Sequence, residues 1–317
     1  MSKLQRLIDE LNDTARVSSR LSAEVDSHPD NEILRVNLSS VAKRQQDIAR
    51  RINQHLGITQ NSLIEYRIER TEKGRYPAKA VGEALEKFQD LLTSIYDALV
   101  HGPKKRFRPA LDALEKTTLN FAGATAGSVR ISLSAEDDRL LVGDTTMEKA
   151  LVLVEKTLSA QTTDDLSLLA EEVGIASISR AYEWAKSAAA YDLKTEIAWG
   201  KSLEPESRVV IRADDAARVT QLIAHKSEDT TSRHVFLCTL HGFDKQTSYF
   251  HIETSGERTH IKGDVAETVS QVHTTGKLYR ATLTRTASVL YATGEDKERW
   301  TLQELAPAEA ETLPRLP

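Results

Sequence analysis

The chain has 317 residues, with 42 lysines and arginines against 47 aspartates and glutamates, giving a formal net charge of −5. Hydrophobic residues make up 40% and charged residues 28%, which excludes a disordered or collagen-like polymer and leaves enough apolar surface for two or three cores. No run approaches the roughly 18 apolar residues of a membrane span. The opening MSKLQRLIDELNDTAR has no apolar signal-peptide core, and a single cysteine, Cys238, excludes an intramolecular disulfide or a cysteine zinc site. A cytoplasmic protein with no membrane role is expected.

None of the 17 aromatics precedes Tyr66. The first segment therefore reads as long helices packing on something else. Leu4, Ile8, Leu11, Ala15, Ser18, Ser22 and Val25 recur by fours and threes, as do Leu34, Leu38, Val41, Gln45, Ile48, Ile52 and His55. Such a stripe keeps one seam facing a partner helix. A coiled-coil-like helical hairpin is predicted over 1–60, with Pro29 opening the second helix behind a Ser27 or His28 cap, and Gly57 ending it. Leu34, Leu38, Val41, Ile48 and Ile52 are the candidate oligomer seam.

Residues 61–204 read as a mixed α/β domain. A strand is expected over 62–69 and an amphipathic helix over 81–99, stopped by Gly102 and Pro103. Strands at 118–121, 128–133 and 139–142 surround glycine-bearing turns. A helix capped by Asp144 or Thr145 follows, and then a long helix over 164–191 with a kink at Gly174. Further strands are expected at 196–199 and 208–211, around a turn near Pro205.

Residues 205–306 read as a small, partly open β-barrel. Seven aromatics fall between 234 and 300, and strands are predicted at 234–241, 248–254, 258–262, 277–286, 288–291 and 299–304, with one helix at 264–272. The tail, 307–317, reads as flexible. The fold class expected is α+β: an N-terminal helical hairpin, a mixed central domain and a C-terminal barrel.

Chemistry-bearing motifs are sparse. Neither G-x-x-x-x-G-K-[ST] nor G-x-G-x-x-G occurs, and Gly123 to Gly127 reads as a turn. Five of nine histidines lie at 234, 241, 251, 260 and 273. Strand alternation puts Tyr249, His251 and Glu253 on one face and Phe250 and Ile252 on the other, so His241 and His251 become neighbours if their strands pair. His241, Tyr249, His251 and Glu253 are the candidate barrel-face site. No H-x-H or H-E-x-x-H spacing occurs, so neither a metal nor a cofactor is expected. Cys238, in an apolar run, reads as a core residue. The pairs Asp164-Asp165 and Asp214-Asp215 read as helix starts.

The densest cationic cluster is Lys104, Lys105, Arg106, Phe107 and Arg108, a candidate phosphate or nucleic-acid grip with an aromatic for stacking. A second cluster comprises Lys43, Arg44, Arg50 and Arg51. Tyr249, Tyr279 and Tyr291, with Arg280 and Arg285, form a candidate aromatic face. The leading expectation is a non-enzymatic interaction or scaffold protein, partnering itself or another protein through the hairpin and the barrel. One alternative is nucleic-acid binding through the basic loop. Another is an enzyme or small-molecule sensor with a His/Tyr pocket at the barrel mouth.

Overall fold

A computed structural model describes residues 2–70, 76–125, 129–136, 144–269 and 273–308. The expected strand at 139–142 and most of the expected tail lie outside the described residues. The fold is α+β, and the chain divides into two compact units, Met1–His225 and Lys226–Pro317.

The first unit opens with α1 (Lys3–Ser27) and α2 (Glu32–Thr59), an antiparallel helical pair. Asn31, not Ser27 or His28, caps α2, accepting the Leu34 N–H at 3.2 Å. Pro29 therefore sits in the connecting turn rather than at a helix start. Gly57 lies inside α2, which ends at Gln60 in the left-handed region (φ 54°). The seam is used unevenly. Ile48, Ile52 and Leu56 are fully buried with Leu4, Leu7, Ile8, Leu63 and Ala122, whereas Leu34, Leu38 and Val41 are only half-buried. The base of the hairpin thus packs on the sheet, and its outer part is covered on the seam side alone.

That sheet is antiparallel, ordered β2 (Asn120–Thr125), β3 (Val129–Glu136), β1 (Asn61–Arg70), β4 (Leu193–Gly200), β5 (Ser207–Ile211). The turn near Pro205 joins the paired β4 and β5, so it lies within this unit. Alternation along β1 sends Ile64, Tyr66 and Ile68 to one face, where they are fully buried. There Tyr66 lies against Phe88, with ring centroids 5.1 Å apart. The helices of the unit are α3 (Ala78–His101), α4 (Leu111–Thr117), α5 (Thr146–Leu158), α6 (Thr163–Ala190) and α7 (Ala213–Ala224). Opposite, Leu63 meets the hairpin base, and charges continue the strand: Arg67 pairs with Glu69 at 2.6 Å and Glu196 at 3.6 Å, and Lys194 with Glu69 at 2.6 Å.

Local sequence sets the helix ends. Thr145 and Glu148 form a reciprocal capping box on α5, and Thr162 and Asp165 do so on α6. Asp214 and Asp215 stand in the first turn of α7. The kink in α6 is at Gly174, whose φ of 80° suits glycine, and any Cβ there would collide with the Lys104 backbone. The Lys104 carbonyl instead accepts the Ala176 N–H at 2.9 Å.

The second unit is a closed five-stranded barrel, β10 (Asp296–Pro307), β8 (His260–Val265), β7 (Tyr249–Thr254), β6 (Ser227–Asp244), β9 (Leu278–Leu290). It is not partly open. A short parallel pairing of Thr301 and Leu302 with Asp264 and Val265 closes the ring. The close approach needs Gly263, where a Cβ would strike the Trp300 carbonyl. The helix expected at 264–272 does not form in the described part of that stretch: Asp264 and Val265 finish β8, and a turn follows. Two expected strands, 277–286 and 288–291, merge into β9. Cys238, Leu240, Phe250, Ile252, Ala281, Leu283 and Leu302 fill the interior. Burial pushes the Cys238 thiol up to about 11, so it stays protonated.

Candidate functional site

The inward alternation of Leu240, Phe250, Ile252 and Ile261 forces their strand neighbours outward. In the register of β7 with β8, His251 faces Lys262 and Glu253 faces His260. Between β6 and β7 the Leu240–Ile252 and Gly242–His251 pairs leave His241 as the extra residue of a β-bulge. The result is three imidazoles and a carboxylate, from three strands, on one outer face. His241 Nε2 lies 2.9 Å from Glu253 Oε2, and His251 Nε2 lies 3.1 Å from His260 Nδ1. Ring centroids are 5.3 Å apart for His241–His251, 5.7 Å for His241–His260 and 5.2 Å for His251–His260. One nitrogen or oxygen from each of His241, Glu253 and His260 falls within 4.8 Å of the other two.

Two groups on this face are perturbed by their surroundings. The hydrogen bond with His241 holds the Glu253 carboxyl below its usual range against a small cost of burial, and the charges of His260, His241 and Arg258 add to this. Partial burial, followed by Lys262 and the two neighbouring imidazoles, pushes His251 below its ordinary value, with Glu253 opposing. The contact between His251 and His260 needs one ring to donate and the other to accept, which requires a neutral imidazole on the accepting side. This face therefore presents a carboxylate and, at the His251–His260 contact, at least one neutral imidazole.

His241, His251 and Glu253 are brought together as the alternation expects. His260 belongs with them and was not among the candidate site residues. Its signal was the short turn between 254 and 260, which sets it directly across from Glu253. Tyr249 is 40% exposed and shares their face, with its ring beside Gly242, but it contributes no donor to the cluster. The expected aromatic face does not form, because Tyr279 and Tyr291 are buried at 5% and 4% exposure.

The basic loop is partly committed elsewhere. Lys104 Nζ pairs with the buried Asp97 at 2.5 Å and donates to the Arg108 carbonyl at 3.1 Å. The Arg180 guanidinium sits 5.1 Å from the centre of the half-buried Phe107 ring. Lys105, Arg106 and Arg108 are exposed. On the hairpin, Arg44 and Arg51 reach Glu10 at 3.0 and 3.7 Å, and Arg50 pairs with Asp47 at 2.6 Å. Of the seam residues, Ile48 and Ile52 are committed to the hairpin base, Leu34, Leu38 and Val41 are half-buried, and Val41 also lines the groove beside α1 and α2. Exposed apolar surface lies instead at Val17, Ile33 and Val36, exposed by 46, 73 and 63%. A groove of about 510 Å³ beside α1 and α2 has Thr14, Val17 and Val41 along it, edged by Arg6, Asp9, Glu10, Asp13 and Arg44.

No family model matches the chain, and no curated protein or solved structure matches it.

Proposed function

We propose that this chain is an assembly protein: two copies pair through their helical hairpins, and each carries a barrel as a ligand-recognising module. The observation that carries this reading is the outer half of the hairpin. Buried side chains of α1 and α2 lie at the base and as far out as Thr14. Beyond it, helices of 25 and 28 residues, about 40 Å long at 1.5 Å per residue, run on with Ile33 and Val36 bare. A helical arm of this length adds little to its own core and offers a long surface to another helix.

The partner that suits this arm is a second copy. Ile33 and Val36 form an apolar knob flanked by Glu32 and Arg35. The groove along Thr14, Val17 and Val41 is edged by charges of both signs. A two-fold pairing sets the knob of each hairpin in the groove of the other, with charges of both signs on each side of the contact, the self-complementarity that an isologous dimer requires.

Light scattering in the presence of chelator tests this. The expected mass is twice the 35.2 kDa of one chain. It should fall to one chain in Val17→Asp/Ile33→Asp/Val36→Asp, whose changes are all at exposed sites. A wild-type protein that stays at 35.2 kDa at high concentration overturns the reading. Ile48 and Ile52 are unsuitable probes, because a charge there would break the hairpin base.

A further inference from the structure

We infer that the outer face of the barrel formed by His241, Glu253 and His260 is a binding site for a first-row transition-metal dication, with Zn²⁺ the best-suited ion. The inference rests on the barrel geometry alone and is independent of hairpin pairing.

Glu253 and His260 are direct cross-strand partners, and such pairs hold their Cβ atoms about 5 Å apart. That separation lets an imidazole and a carboxylate converge on one ion. The third donor, His241, is supplied by the bulge, and its Nε2 already lies 2.9 Å from Glu253 Oε2. In a tetrahedral zinc site with bonds of about 2.0 Å, ligand atoms are separated by roughly 3.3 Å. The three donors already lie within 4.8 Å of one another, so about 1.5 Å of closure brings them to that spacing. Nitrogen and carboxylate oxygen in this ratio suit zinc, cobalt, nickel or copper rather than calcium or magnesium, which take oxygen donors almost exclusively.

His251 acts as a positioning residue. Its Nε2, 3.1 Å from His260 Nδ1, holds the His260 ring and selects its tautomer, as outer hydrogen-bond partners of metal-bound histidines do. Lys262 and Arg258 stand close by and oppose any cation. Affinity should accordingly be modest, and Lys262→Gln should tighten it.

The test is equilibrium dialysis of the full chain against Zn²⁺, with Co²⁺ absorption as a second readout that needs no variant. One bound equivalent is expected, together with the intense visible bands of low-coordinate cobalt. His241→Ala, His260→Ala and Glu253→Gln should each weaken binding at least about tenfold. His251→Ala should weaken it less and alter the cobalt spectrum, while His225→Ala should change nothing. Less than one equivalent in the wild type, a six-coordinate cobalt spectrum, or unchanged affinity in His241→Ala/His260→Ala overturns the site. Because dialysis reads stoichiometry rather than mass, failure of the metal site and failure of hairpin pairing are told apart.

Discussion

The indole N–H of Trp184 donates to the Tyr66 hydroxyl over 3.0 Å, tying α6 to the central strand of the sheet. The hydroxyl in turn donates to the Ala84 carbonyl at 3.3 Å, so one oxygen joins β1, α3 and α6. Burial raises the phenol far above its ordinary value and keeps it protonated. Tyr66→Phe preserves the ring packing and leaves the Trp184 donor unpaired. Urea unfolding should show a loss of about 1–3 kcal/mol, the cost of stranding a buried polar group. A loss below about 0.5 kcal/mol would mean that the hydroxyl contributes nothing net.

Lys104 differs from its neighbours in the basic loop. It satisfies Asp97, which is buried and also accepts the Ala110 N–H at 3.0 Å. Lys104→Ala should cost about 1.5–3 kcal/mol, as loss of a charge-assisted hydrogen bond does. Lys105→Ala/Arg108→Ala should stay within about 0.5 kcal/mol of wild type. The double variant is thus the clean probe of phosphate binding by this loop. If the loop grips phosphate, filter binding at two salt concentrations should show weaker nucleic-acid affinity and a flatter salt slope in the double variant, and unaltered binding would clear the loop of that role.

Gly263→Ala should open the barrel. The added methyl meets the Trp300 carbonyl, backbone that cannot rotate away. Overpacking of this kind typically costs about 1–3 kcal/mol. Here the loss should fall on the β8–β10 closure, with hydrogen exchange rising first at Thr301 and Leu302. An alanine variant with wild-type melting and exchange would show that the closure tolerates the shift.

Acid should weaken the barrel through His273. Its ring meets Phe243 and Tyr279 edge-on at 5.2 and 5.5 Å, and burial pushes it below its ordinary 6.5. The unfolded chain then takes this proton first as pH falls. The contribution is complete above pH 6.5 and drains away as pH drops from there toward the folded value. His273→Leu should flatten the stability profile below pH 6.5 relative to wild type, and parallel profiles would remove His273 as the cause.

Strand alternation was the most legible signal in the sequence. It separated Tyr249, His251 and Glu253 from Phe250 and Ile252, and it anticipated the meeting of His241 with His251. Alternation alone could not announce the bulge at His241 or the register that sets His260 across from Glu253. Both depend on how two strands slide past each other, which is decided by turn geometry and by core packing at Leu240 and Ile252. The seven-residue stripes located the hairpin correctly but not the use of its seam, since burial of Ile48 and Ile52 requires Leu63 and Ala122 from elsewhere in the chain. Tyr279 and Tyr291 misled for a related reason. An aromatic residue on a strand is equally suited to either face until the barrel closes.

The central place of β1 in its sheet also sets an order of assembly. Leu63 lies between Ser134 on one side and Gly200 on the other, so both of its neighbours leave the ribosome long after it. The hairpin base leans on that same strand. Leu4, Leu7, Ile8, Ile48, Ile52 and Leu56 meet Leu63 soon after they are made, but Ala122 and the strands that flank β1 on either side come later in the chain. The barrel strands, by contrast, are drawn from fewer than a hundred consecutive residues, from Ser227 to Pro307. Contacts of long sequence separation form slowly, so the first unit is the part of this nascent chain most exposed to capture by a chaperone or by a neighbouring copy.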